Sequence, residues 1–102
     1  MAARWKAGRL CRQVAEILSL SLSECGDDLL RDLSVRDVAP TPDASRLAVT
    51  VETLGPGHDP AAVLAALARA HGRLRSAVAS AVQRKRAPEL VFRLAGPGEE
   101  AP

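Results

Sequence analysis

Residues 67–94 read LARAHGRLRSAVASAVQRKRAPELVFRL, and the way this stretch is divided decides the fold. Leu67 closes one apolar-periodic segment, and Leu74, Val78 and Val82 form a second at helical spacing. Gly72 lies between them and reads as a break, because glycine carries the largest backbone entropy cost in a helix interior. Pro88 ends the second segment, and Glu89 to Leu94 (ELVFRL) reads as a strand with Leu90 and Phe92 on one side. Arg69, Arg73, Arg75, Arg84, Lys85 and Arg86 fall in this run, and no acid occurs in it before Glu89. A broken helix dense in positive charge and tied into a sheet offers a surface to a polyanion.

Outward from that stretch, the chain gives a first helix over about Arg4 to Leu22. Leu10, Val14, Ile17 and Leu18 recur on one side with Cys11, and Gly26 lies just past the end. Asp27 to Arg31 reads as a short turn. Leu33 to Val38 reads as a strand, and Arg46 to Leu54 (RLAVTVETL) alternates as a half-buried strand should. Pro40, Pro42 and Asp43 between them predict an antiparallel hairpin. Asp59 followed by Pro60 is a helix start, a side-chain cap before a proline at the first helical position. The expected order is α-β-β-α-α-β: an α+β domain with a three-stranded sheet and its helices on one face. The domain spans residues 1–94, and 95–102 form a disordered polar tail.

At 102 residues the chain makes one domain with a modest core. Apolar residues are 47% of it, but Trp5 and Phe92 are the only aromatic ones and there is no Tyr. Base-stacking platforms are therefore nearly absent, and any nucleic-acid contact rests on phosphate charge and shape. The net charge of +2 hides a segregation. Arg4, Lys6, Arg9 and Arg12 open the chain without an acid, as do the bases of 69–86, whereas acids outnumber arginines between Glu24 and Asp59. Two acid-free runs predict one positive face, and two solvated helix faces are the plain alternative.

Cys11 and Cys25 make neither a disulfide framework nor a metal pattern, so no metal or cofactor is expected and the chain reads as cytoplasmic. Nothing reaches transmembrane length. His58 and His71 have no Ser or Cys partner at a motif spacing, which argues against an enzyme. Gly55-Pro56-Gly57 lacks the rest of a phosphate-loop motif and reads as a simple loop.

Four pieces of the chain together resemble the ribosome-binding factor A family. They are Gln13 to Leu18 in the first helix, Asp37-Val38 leading to Thr41-Pro42-Asp43, Ala70-His71-Gly72 with Leu74-Arg75-Ser76, and Pro88 to Phe92. The third resembles the family's Ala-x-Gly kink and the fourth its P-E-L-x-F strand entry. The resemblance covers residues 4–94. It implies a type II KH-like fold, in which the Ala-x-Gly helix kink replaces the G-x-x-G loop of ordinary KH domains. It also implies a monomer that binds the 30S subunit and 16S rRNA during late maturation and rRNA processing, without catalysis. Asp27-Asp28-Leu29-Leu30 stands where the family usually has D-P-R-L, so the turn lacks its arginine.

The expected RNA-binding residues are Arg4, Arg9, Arg12, Arg69, His71, Gly72, Arg73, Arg75, Arg84, Lys85 and Arg86. At Gly72 the break would free the first N–H groups of the next helix for a phosphate. Two rivals stay open: a DNA-binding module using the segment after Gly72 as a recognition helix, and a protein-interaction domain with a basic face.

Overall fold

A computed structural model of the chain describes residues 2–41, 45–55, 57–82 and 87–95, with side chains from residue 8 onward. Its elements are α1 (Ala2–Ser23), α2 (Asp28–Arg31), β1 (Leu33–Pro40), β2 (Arg46–Thr53), α3 (Pro60–Ala81) and β3 (Glu89–Ala95). The sheet has the order β1-β2-β3, antiparallel between β1 and β2 and parallel between β2 and β3. The expected hairpin is present, closed by Thr41 N–H donating to the Arg46 carbonyl at 2.8 Å. Parallel β3 follows from α3, whose 22 residues, about 33 Å at the standard rise, carry the chain back along the sheet as a crossover.

Leu47, Val49 and Val51 alternate on one face of the central strand, and none is exposed. α1 and α3 cover that face. Leu10, Cys11, Val14, Leu18 and Leu22 come from α1, and Val63, Ala66, Leu67, Ala70, Leu74 and Val78 from α3. Small Ala66 and Ala70 let α3 pack closely. The Cys11 thiol, in this core, has its pKa raised by burial and then by the nearby Asp37 charge. A raised pKa disfavours the thiolate, the nucleophilic form of the side chain.

Two expectations need correction. The helix is not broken at Gly72: hydrogen-bonded helix runs unbroken from Pro60 to Ala81, so the order is α-α-β-β-α-β, with the Asp28–Arg31 turn as the extra helix. The apolar positions Leu67, Ala70, Leu74 and Val78 keep helical phase across the glycine, and burying that stripe outweighs the cost of about 1 kcal/mol for one glycine. The N–H groups after Gly72 are therefore interior to a helix and do not form a phosphate site. Ala95 also belongs to β3 instead of the tail; residues 96–102 lie outside those described.

Gly72 is exposed, its φ is not positive, and a Cβ there would meet nothing within 4 Å. Gly72→Ala should therefore stabilise the fold by about 0.5–1 kcal/mol. The thermal midpoint should rise by roughly 2–8 °C for a domain of this size. A lower midpoint would show that the residue leaves helical geometry in solution.

Candidate nucleic-acid interface

The helical layer carries the candidate residues. Asp59 starts α3, its carboxylate accepting from Ala61 N–H at 3.2 Å with Pro60 following. The helix then presents Arg69, Arg73 and Arg75 to solvent. Arg69 and Arg73 are four residues apart and share one flank of α3, while Arg75, two residues on, points to a different side. On α1, Arg9 and Arg12 are exposed opposite the buried stripe. Gln13, also exposed, donates its side-chain amide to the Ala81 carbonyl at 3.4 Å. That contact sets the Arg9–Gln13 turn of α1 beside the C-terminal end of α3. Arg84, Lys85 and Arg86 follow α3 in sequence but lie outside the described residues, as does the side chain of Arg4.

Charge pairing is uneven over the surface. Arg36 faces Glu52 at 4.0 Å and Arg46 faces Glu89 at 3.9 Å on the sheet, and Arg31 pairs with Asp28 on α2. Arg12, Arg73 and Arg75 have no ionic partner among the described residues, a condition that only Arg93 shares on the sheet. Arg69 is intermediate, with Nη2 3.5 Å from Asp27 Oδ2. α3 itself contains no acid, and Glu16 is the only one in α1.

Arg69 and Arg73 line an open hollow of about 420 Å3 between α3 and the segment joining α1 to α2. Cys25, Gly26, Asp27, Leu30, Ala66 and Ala70 complete its lining. Leu29, at the position of the absent turn arginine, is half-buried and packs against the core. Asp27 caps α2, accepting from Leu29 N–H at 2.9 Å, and its place beside Arg69 has no counterpart in the local sequence pattern.

His71 lies in α3. Half-buried, it places Nε2 3.0 Å from the Leu90 carbonyl and its ring edge-on to Phe92 at 5.9 Å, so it ties α3 to β3. Phe92 is itself half-buried and packs against the core. Among the described residues there is no group of side chains that could hold a metal ion, and no helix is long and apolar enough to cross a membrane.

An α+β sheet of this topology, backed on one face by helices rich in exposed arginine, is a KH-like domain. The ribosome-binding factor A model matches residues 3–99, and the chain belongs to that family. It is similar to the crystal structure of ribosome-binding factor A from Thermus thermophilus, with a TM-score of 0.75 and 32% identity over 86% of this chain and 94% of that one. A Thermus thermophilus homology model fitted into the cryo-EM map of a 30S complex gives 0.66 and 34% over 81% and 88%. The solution structure of a putative ribosome binding factor A from Thermotoga maritima shares the fold, at 0.73 and 21% over 93% and 92%. No curated protein matches the chain.

Proposed function

We propose that this protein is a cytoplasmic, monomeric assembly factor that binds the 30S subunit through 16S rRNA late in its maturation and rRNA processing, and acts by binding without catalysis. The observation that carries this reading is the set of exposed guanidinium groups of Arg12, Arg73 and Arg75 on the helical layer, which have no ionic partner among the described residues. Unpaired arginines can neutralise phosphates and release counterions without first giving up an internal partner. The scarcity of aromatic residues favours a folded RNA read by shape and backbone over a splayed single strand. The Thermus relative fitted to a 30S complex supports the choice of subunit. The rival recognition helix after Gly72 needed a helix-turn-helix corner, which the unbroken α3 does not supply.

Sedimentation with purified 30S subunits tests the reading. The chain should travel with the subunit at about 50 mM salt and be released by roughly 200 mM or more, as phosphate-dominated binding requires. Duplex DNA should compete poorly. Capture on a protein partner that survives ribonuclease, with no 30S association, would favour the protein-interaction reading instead.

A further inference from the structure

The hollow between α3 and the α1–α2 segment has an unusual charge arrangement. Arg69 and Arg73 stand one helical turn apart on its rim, and Arg73 has no ionic partner among the described residues. Asp27 lies opposite and uses its two oxygens differently. Oδ1 is committed to the Leu29 N–H at 2.9 Å, and Oδ2 faces Arg69 at 3.5 Å. Ala66 and Ala70 on the α3 side, with Gly26 across from them, leave room for a bulky chain to come close. At about 420 Å3 and open to solvent, the hollow suits a segment of backbone more than an enclosed small molecule.

We propose that this hollow seats a phosphodiester of the RNA backbone, and that Asp27 is a built-in competitor for the same guanidinium. Arg69 exchanges the Asp27 carboxylate for the phosphate, and Arg73 supplies the second cation. The exchange is easy because an exposed pair of this kind is weak. Asp27 cannot follow Arg69 away, because the α2 cap holds it at the rim. Its charge stays beside the bound phosphate and limits the affinity. The inference rests on the RNA-binding reading above.

Asp27→Asn tests it cleanly, because asparagine caps a helix as well as aspartate and removes only the charge. Asp27→Ser is a second neutral cap, and both should keep the wild-type unfolding midpoint within error. Titrations against purified 30S subunits should show both variants binding about two- to fivefold more tightly than wild type. Their affinity should also fall more steeply with salt. In an Arg69→Gln background the same substitutions should give no gain. Unchanged affinity in the neutral variants overturns this inference alone, as does an equal gain with and without Arg69. Failure of the wild-type chain to bind the subunit overturns the RNA reading itself.

Discussion

Leu74→Ala should lower the free energy of unfolding by about 2–5 kcal/mol, the largest loss expected from any single truncation on α3. Leu74 has no solvent exposure and lies in the middle of the stripe that α3 lays on the sheet. Its α3 neighbours on that stripe are Ala70, Leu67 and Val78, and the only aromatic ring packed against the described core is that of Phe92. Small side chains on a stiff helix have little freedom to refill the space, so the cavity persists and its cost adds to the lost transfer energy. Domains of this size have roughly 5–15 kcal/mol in all, so a protein at the lower end would be largely unfolded by the change. Urea unfolding followed by far-UV circular dichroism should show a lower midpoint with an unchanged slope. Leu64→Ala, on the same helix but 43% exposed, should cost far less. If the two substitutions cost the same, the packing of α3 described above is wrong.

The elements were legible in the sequence wherever a local rule determines them. The alternation of Leu47, Val49 and Val51 reads as the half-buried strand it is, and Asp59-Pro60 starts a helix where capping chemistry says it should. Gly72 was misread because propensity is a local quantity, whereas the continuity of α3 depends on apolar positions that stay in phase on both sides of the glycine and on a sheet to bury them. The parallel direction of β3 is likewise set by the crossover of α3, which no strand-length pattern encodes.

For the candidate interface, the acid-free runs that hold Arg9, Arg12, Arg69, Arg73 and Arg75 showed in the sequence, and all five side chains are exposed. Their pairing did not show there. Asp27 reaches Arg69 across 42 positions of sequence, and His71 reaches the Leu90 carbonyl across 19. Such contacts depend on how α3 sits against α2 and β3. His71, expected to bind RNA beside the glycine, thus turns out to tie α3 to β3, and a turn aspartate becomes part of the basic surface.

Reversing Arg12, Arg73 and Arg75 together to Glu should weaken 30S binding by more than a hundredfold while leaving the fold intact. The first half follows from charge. Each reversal removes a cation able to make a charge-assisted contact of about 1.5–3 kcal/mol and places a carboxylate beside phosphate. The salt dependence should flatten by up to about three phosphate equivalents. The second half follows from geometry, since all three side chains are exposed and none has an ionic partner among the described residues, so their loss strands no buried group. Arg46→Glu is the matched control: it reverses a charge on the sheet, where Glu89 already balances it at 3.9 Å, and should leave subunit binding within about twofold. A triple variant that still sediments with 30S subunits would remove the helical layer from the interface. A control that binds as poorly as the triple variant would show that total charge, and not its placement on α1 and α3, governs the association.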